Sequence, residues 1–273
     1  MKQLSKILFC WFFLFQNGYA LQWNKVEKPT ESPLAAIGTT SNGCLSGGEE
    51  IALEGDGYQI MRTSRHRYFG HPKLLAFLHQ LANDIQKLKV GTLLIGDMSQ
   101  PRGGPMNSMH ASHQNGLDAD IWLWLAPQLL TENEREQLSA PVMIKSNKKE
   151  VNEKWAQGQV ELLRLIAEHP DTERVFINAA IKQSLCEQSQ GTWKWLRKIR
   201  PWWGHEEHLH VRLHCPENDP HCKETTPVPA GDGCNDLDWW FSEEALNPKK
   251  SKKKAKAPKP PLPSFCNAVL NAQ

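Results

Sequence analysis

Two short stretches of the chain concentrate its histidines. The first runs from His110 to Asp120 and the second from His205 to His210, and together they hold five of the eleven histidines. Imidazole is the commonest metal ligand in proteins, and zinc accepts both imidazole and carboxylate ligands. These residue types therefore predict a zinc centre built from two distant parts of the chain.

The spacing within each stretch indicates how the side chains would meet. His113 lies seven residues before Asp120, and Gly116 can turn the chain between them. His208 and His210 are two residues apart, so on a β-strand they share one face. We therefore expect a turn followed by a strand to bring His113 and Asp120 beside a cavity that the two strand histidines also face.

The helical zinc-protease motif does not fit the second stretch. His-Glu-x-x-His starting at His205 requires a histidine where Leu209 stands, and the inverse order His-x-x-Glu-His is absent as well. Residues 211–213 continue the alternation of a strand. Neither Glu206 nor Glu207 is therefore assigned as a general base.

Hydrophobic periodicity predicts the elements that must position these residues. Leucines at helical spacing behind Pro72 predict a helix that ends near Leu88. Further helices are predicted at 157–168 and 179–187, and strands at 92–95, 120–125, 174–178 and 208–213. Because helices and strands do not alternate regularly, the order favours an α+β fold: a mainly antiparallel central sheet with flanking helices and long disulfide-tied loops.

Other segments carry no clear period. Residues 21–57 read as irregular entry sequence, residues 98–117 as a loop rich in helix and strand breakers, and residues 131–156 as a polar excursion from the core. We expect Trp122 and Trp124 in the core, because they alternate with aliphatic residues.

Two further features admit more than one interpretation. For Trp202 and Trp203, core packing is favoured over the wall of a groove. The three arginines between Arg62 and Arg67 fit either the binding of a substrate carboxylate or a solvated basic stretch.

The N-terminus predicts export. Two lysines, the apolar run Ile7–Phe15 and small residues at Gly18 and Ala20 indicate a signal peptide, residues 1–20, cleaved near Ala20. The alternative is an uncleaved anchor, but the run is much shorter than the ~20 residues of a membrane span. We therefore expect a periplasmic protein without stable membrane insertion.

The rest of the chain divides into one domain, residues 21–246, and a Lys/Pro-rich tail, residues 247–273. Seven lysines lie between Lys249 and Lys259. A solvated spacer that lets Cys266 reach back to a distant cysteine is favoured over attraction to an anionic surface.

Composition narrows the class of protein. The chain has 273 residues, a formal net charge of +2 and 23% charged residues, which excludes a disordered chain, a collagen and a coiled coil. Removing the predicted signal peptide takes away two lysines and Cys10, leaving a net charge near zero and six of seven cysteines. Export argues against nucleic acid as a partner.

The six remaining cysteines predict three disulfides in an exported chain. They allow 15 pairings, of which Cys215 with Cys222 closes a short loop turned by prolines. A zinc cluster is disfavoured because no Cys-x-x-Cys pair is present.

The pattern of His113, Asp120 and the later His208-x-His210 resembles that of the LAS zinc metallopeptidases and, within them, the penicillin-insensitive murein endopeptidases of Gram-negative bacteria. Supporting stretches are Ser41–Cys44, Arg67–Pro72, Leu94–Met98, His110–Gln114, Trp195–Trp202 and Gly231–Cys234. The resemblance covers nearly the whole chain behind the predicted signal peptide.

The resemblance implies specific roles for the clustered residues. Zinc would be held by His113, Asp120 and His210, which leaves one coordination position for water. His208 would move protons, and His205 would stabilise charge on the tetrahedral intermediate. His110 would line the site or touch a metal.

The resemblance also bears on three further residues. Asp118 would either orient a ligand histidine or cap a turn. Asn147 and Glu150 stand where members of the family can carry an Asp and a His that hold a second metal.

The resemblance also implies an activity and a disulfide pairing. The activity is hydrolysis of the D-alanyl–meso-diaminopimelyl cross-links of peptidoglycan, with diaminopimelyl–diaminopimelyl bonds as a second substrate to test, and insensitivity to penicillin. The implied pairs are Cys44–Cys266, Cys186–Cys234 and Cys215–Cys222. The alternatives that stay open are a D,D-carboxypeptidase at the same zinc site and a non-catalytic zinc-containing module that binds the cell wall. A homodimer is also left open.

Overall fold

The computed structural model describes residues 22–107, 110–248 and 260–272. The predicted signal peptide and the lysine-rich part of the predicted tail lie outside the described residues. Within the described ranges, no helix is long and apolar enough to cross a membrane.

A seven-stranded sheet forms the centre of the described part of the chain. The strands are β1 (Ala35–Thr39), β2 (Asn42–Ser46), β3 (Glu49–Glu50), β4 (Glu54–Gly55), β5 (Tyr58–Ile60), β6 (Phe69–Gly70), β7 (Leu93–Ile95), β8 (Asp118–Trp122), β9 (Thr172–Ile177), β10 (Ile199–Pro201) and β11 (His208–Leu213). The central sheet has the spatial order β10-β9-β11-β8-β7-β5-β4. The pairs β10–β9 and β7–β5 are parallel and the other four are antiparallel, which confirms a mainly antiparallel α+β fold.

Helices cover this sheet and complete its core. They are α1 (Pro72–Leu88), α2 (Glu132–Gln137), α3 (Gln157–Glu168), α4 (Ala179–Ser189), α5 (Glu243–Leu246) and α6 (Phe265–Asn271). Helix α1 begins as predicted, because Pro72 occupies its first turn and the His71 ring accepts a hydrogen bond from the Lys73 amide at 3.0 Å. Its apolar face, including Leu74, Leu78 and Ile85, is fully buried in the same core as α3 and the central strands.

The register of the central strands aligns the predicted site residues across the sheet. Strand β11 lies between β8 and β9. His210 is paired with Asp120 on one side and with Phe176 on the other, and His208 is paired with Trp122. Because paired residues on adjacent strands point to the same face, as do residues two apart on one strand, these five side chains share one face of the three strands.

Three disulfides tie the surface loops and the C-terminal helix to the body. They join Cys44 to Cys266, Cys186 to Cys234 and Cys215 to Cys222, which are the pairs that the resemblance implies. The first is buried and links α6 to the hairpin of β1 and β2 across 222 residues of sequence.

Several sequence expectations were wrong. Residues 21–57 contain four strands rather than irregular structure, and glycines within the β1–β2 hairpin hide the usual strand pattern. Residues 131–156 contain α2, which Thr131 and Glu134 begin with a reciprocal capping box. The strand predicted at 120–125 runs from Asp118 to Trp122 instead, because its pairing with β11 ends opposite His208.

The tryptophans divide between core and surface. Trp122 is buried as predicted, and Trp124 is partly buried against the core. The preference for core packing at Trp202 and Trp203 was wrong, since these side chains are 50% and 47% exposed. Both follow the edge strand β10 directly.

Candidate metal centre

Three buried donors reach the centre from the middle of the sheet. Asp118 and Asp120 lie two residues apart on β8 and therefore share a face, and His210 lies opposite Asp120 on β11. His210 Nδ1 is 2.9 Å from Asp120 Oδ1, and His210 Nε2 is 2.9 Å from Asp118 Oδ2. The imidazole therefore bridges the two carboxylates.

A fourth donor, His113, comes from the loop before β8. Its ring is fully buried, and its backbone has a left-handed φ of 64°. His113 Nε2 lies 3.4 Å from Asp120 Oδ2, and its Nδ1 lies 3.3 Å from Asp118 Oδ1. Like His210, this imidazole turns one nitrogen toward each aspartate.

Hydrogen bonds to the β1–β2 hairpin hold this loop in place. The Gln114 side chain donates to the Ser41 carbonyl oxygen at 3.0 Å and accepts from the Gly43 amide at 3.2 Å. Its backbone amide donates to the Thr40 carbonyl at 2.9 Å. Gly116 has a left-handed φ of 75°, and a Cβ there would lie 2.7 Å from Leu45. The loop can therefore pack this tightly only with glycine at that position.

His110 occupies the more open side of the centre. Its Nδ1 lies 3.4 Å from Asp120 Oδ2, and its Nε2 lies 3.2 Å from Asp97 Oδ2. Asp97 also pairs with Arg67 at 2.7 Å and with Arg65 at 3.1 Å. Two of the three arginines therefore contact a buried carboxylate, which neither of the two interpretations from the sequence included.

Asp97 is a site residue that the sequence reasoning missed. It follows β7 within the stretch Leu94–Met98, which contributed only to the family resemblance. A charged residue two positions behind a short buried strand, next to the strand that carries the metal-ligand candidates, is the signal that would have found it.

Opposite charges set the protonation of the buried groups. Burial alone would raise the pKa of Asp118, but His113 and His210 outweigh it and hold that pKa below its usual range. The pKa of Asp120 is lowered for the same reasons. Burial would lower the pKa of His113, but the two aspartates hold it well above its usual value. Burial would also raise the pKa of Asp97, but His110 and the two arginines outweigh it and lower that pKa to about 2.

His208 and His205 lie beside the donors. The rings of these two histidines are 4.9 Å apart, and His205 is 6.4 Å from His210. His208 Nδ1 lies 3.4 Å from Glu207 Oε1. Burial opposes protonation of His208, but the bond to Glu207 raises its pKa. Burial, followed by the nearby His208, lowers the pKa of His205 to about 4.

The donor set fits a zinc ion. Two groups of three donors each have ligand atoms within 4.8 Å of one another: His110, His113 and Asp120, and His113, Asp118 and His210. In the described structure, His113 Nε2 is buried without a hydrogen-bond partner, although it faces Asp120. Imidazole and carboxylate are the ligand types of catalytic zinc sites, so an ion would satisfy this nitrogen.

A cleft opens beside the donors. Its volume is about 450 Å³. The residues that line it include Arg62, Arg65, His110, Trp122, Glu207 and His208. The centre is therefore open to a substrate on this side.

The positions named for a second metal lie elsewhere. Glu150 is exposed and contacts Lys145 at 2.5 Å and Asn147 at 3.2 Å. Its carboxylate is therefore already neutralised by a lysine, and the described structure brings no histidine or aspartate to it.

Comparisons with known proteins agree with this arrangement. The family model described as penicillin-insensitive murein endopeptidase matches residues 36–271. The penicillin-insensitive murein endopeptidase of Salmonella paratyphi B is 39% identical over 278 aligned positions, which cover 99% of this chain and 98% of the relative. Those of Salmonella paratyphi C and Salmonella newport are 40% identical with the same coverage. The chain therefore belongs to the penicillin-insensitive murein endopeptidase family.

Proposed function

We propose that the protein is a zinc-dependent endopeptidase that hydrolyses D-alanyl–meso-diaminopimelyl cross-links of murein, with diaminopimelyl–diaminopimelyl bonds as a second substrate to test. The observation that carries this proposal is the way two imidazole rings are turned between two aspartates. His113 Nε2 and His210 Nδ1 face Asp120, whereas their other nitrogens face Asp118. Zinc sites commonly use a carboxylate in this way, to orient ligand histidines through the nitrogen that does not bind the metal.

This orientation gives the two aspartates different proposed roles. His113, Asp120 and His210 would hold the ion, and His110 Nδ1 lies close enough to Asp120 to be an additional donor. Asp118 would fix the tautomer and direction of both rings. Bound zinc supplies a Lewis acid for the scissile carbonyl and lowers the pKa of water to about 7.

The neighbouring histidines would handle protons and charge. Glu207 favours the protonated form of His208, which suits this ring to carry a proton between the attacking water and the leaving amine. His205 Nδ1 donates to the Trp203 carbonyl oxygen at 2.9 Å, which leaves only Nε2 for the substrate. His205 would therefore stabilise a developing negative charge only when Nε2 also carries a proton.

Such a site explains indifference to penicillin. Hydrolysis by water activated in this way passes through no acyl-enzyme, so the drug finds no nucleophilic serine to acylate. We further propose that the protein acts on peptidoglycan in the periplasm after removal of residues 1–20. The three disulfides support this location, because such bonds persist in oxidising compartments.

The test is to incubate the purified protein, residues 21–273, with cross-linked muropeptide dimers and follow them by mass spectrometry. Parallel samples contain a chelator, the chelator followed by excess zinc, or penicillin. We expect conversion of dimers to monomers that the chelator blocks, zinc restores and penicillin leaves unchanged. Intact dimers in the zinc-loaded sample would contradict the proposal. Release of terminal D-alanine alone would indicate a carboxypeptidase, and wall binding without turnover would indicate a binding module.

Matched histidine variants make the test specific to the site. His210→Ala removes a proposed ligand, whereas His214→Ala changes an exposed histidine directly behind the same strand. We expect the first variant to lose dimer cleavage and the second to retain it.

A further inference from the structure

Four tryptophans form an exposed cluster beside the metal centre, here called the tryptophan patch: Trp202, Trp203, Trp239 and Trp240. Trp203 contacts each of the other three, with ring centroids 4.8 to 5.6 Å apart. Three of the rings are about half exposed. Contiguous exposed aromatic surface of this kind is uncommon on soluble proteins unless it binds something.

The patch is held rigidly. The Trp202 amide donates to the Ile177 carbonyl at 2.8 Å, and Trp203 Nε1 donates to the Ala245 carbonyl at 3.3 Å. Asn178 Nδ2 donates to the Gly204 carbonyl at 3.1 Å, which fixes the turn that follows. The rings are therefore preorganised, and a ligand would bind without ordering them first.

The patch is continuous with the metal centre through a single ring. Phe176 is the residue of β9 that is paired with His210. Its centroid lies 5.8 Å from the His210 ring and 5.5 Å from Trp202. The same turn that presents Trp202 and Trp203 also delivers His205 to the centre. A ligand on the patch would thus lie at the edge of the reaction site, on the side where β10 ends the sheet.

Charge around the patch selects among ligands. Asp238 directly precedes Trp239, and Glu243 and Glu244 begin α5, which carries the acceptor for Trp203; all three acids are exposed. Their charge disfavours the carboxylates of stem peptides and anionic lipid surfaces. Carboxylates do accept hydrogen bonds from hydroxyl groups, and flat aromatic faces offer apolar contact to C–H groups. Pyranose rings present both kinds of group.

We propose that the tryptophan patch binds sugar rings of the glycan strand that carries the cross-linked peptide. This inference rests on the proposed murein endopeptidase function and adds a second contact to it. Because the sugar and the scissile peptide are parts of one molecule, binding at the patch raises the local concentration of the cross-link at the metal centre. The patch would thereby favour cross-links within intact murein over free peptides.

The experiment compares two substrates that differ only in sugar. One is a cross-linked dimer with a disaccharide on each stem peptide, and the other is the same dimer after an amidase has removed the sugars. The zinc-loaded protein is assayed with both, and KM and kcat are measured. We expect the wild type to show a lower KM for the sugar-bearing dimer. If it cleaves neither dimer, the proposed function fails; equal KM values for both overturn the patch proposal alone.

Variants then locate the sugar contact. The Trp239 ring packs against Trp203 and Trp240 and lies outside the turn that carries His205, so its replacement spares the turn. We expect Trp239→Ala to raise KM for the sugar-bearing dimer about fivefold, Trp239→Phe to retain most of the preference, and Phe265→Ala, at an exposed ring on α6, to change nothing. The sugar-free dimer reports the folded fraction of each variant. Equal losses on both dimers in Trp239→Ala would overturn the proposal.

Discussion

The donors of the metal centre reach it by two different routes. Asp118, Asp120 and His210 come from paired strands in the middle of the sheet, whereas His110 and His113 come from the loop that leads from β7 to β8. Backbone pairing fixes the strand donors, because a register shift would turn them to the other face. The loop donors depend instead on side chains such as Gln114 and on a hairpin clamped by a disulfide.

This difference predicts where the site is vulnerable. Changes at strand donors should act on the chemistry and leave the fold intact. Changes in the support of the loop should lower stability and metal affinity together, because the loop carries His113, one of the two proposed imidazole ligands.

The largest effect is expected at a strand donor that would bind the ion directly. We expect Asp120→Ala to lower kcat/KM for dimer cleavage about a thousandfold or more, since losing a ligand forfeits several kcal/mol of transition-state stabilisation. The thermal unfolding midpoint of the metal-free protein should fall as well, because the mutation takes from the buried His113 and His210 one of the two carboxylates that they face, while strand pairing keeps the fold. A residual activity above a tenth of the wild type would show that Asp120 is not a ligand.

The next effect concerns the disulfide that clamps the hairpin. The Cys44–Cys266 bond closes 222 residues and the Cys215–Cys222 bond only seven. In the chain-entropy description, replacing the first pair by alanine costs about 3 kcal/mol more in free energy of unfolding than replacing the second. Urea unfolding of the two double variants measures this difference. We also expect only the first to weaken zinc binding, because its hairpin supports His113 through Gln114. Equal zinc affinity in both double variants would show that the hairpin does not support the loop that carries His113.

A smaller effect is expected at the strand donor that would not touch the ion. Asp118→Asn keeps the size of the side chain but weakens its hold on both imidazoles. We expect zinc affinity and kcat/KM to fall about 10- to 100-fold, the usual cost of losing a group that orients metal ligands. Competition with a fluorescent zinc chelator measures the affinity. A loss as large as that of Asp120→Ala would instead place Asp118 among the ligands.

The smallest effect is expected within the loop itself. Gln114→Ala removes the side-chain bonds to Ser41 and Gly43 and takes this partner from the buried Gly43 amide, at a cost of about 1–3 kcal/mol in free energy of unfolding. We expect kcat/KM to fall less than tenfold, with recovery in excess zinc. Gln188→Ala, at an exposed glutamine of α4, is the control and should change neither quantity. If excess zinc does not restore activity in Gln114→Ala, Gln114 does not act through the zinc affinity of the loop.

The sequence predicted best what depends on local periodicity. The helices Pro72–Leu88 and Gln157–Glu168 and the strand His208–Leu213 have the predicted bounds, because their apolar residues recur at the period of the element. The shared face of His208 and His210 followed directly from this. The β1–β2 hairpin was missed because its glycines leave few side chains from which to read a pattern.

What the sequence did not predict depends on contacts between distant segments. Asp97 meets His110 only because β7 and β8 are neighbours, and Asp118 faces both imidazoles only in the register of β8 with β11. The exposure of Trp202 and Trp203 follows from their place behind an edge strand, whereas composition alone treats tryptophan as a core residue.

We propose that His113 Nε2 and His210 Nδ1, the nitrogens that face Asp120, bind one zinc ion together with Asp120, and that Asp118 does not bind it. Crystals of the zinc-loaded protein, measured at wavelengths on both sides of the zinc absorption edge, test this directly. We expect one strong anomalous peak within about 2.2 Å of His113 Nε2, His210 Nδ1 and an Asp120 oxygen, with the Asp118 oxygens beyond bonding distance. A peak bonded to Asp118 and to the opposite nitrogens of the two rings, or no peak at this centre, would contradict it.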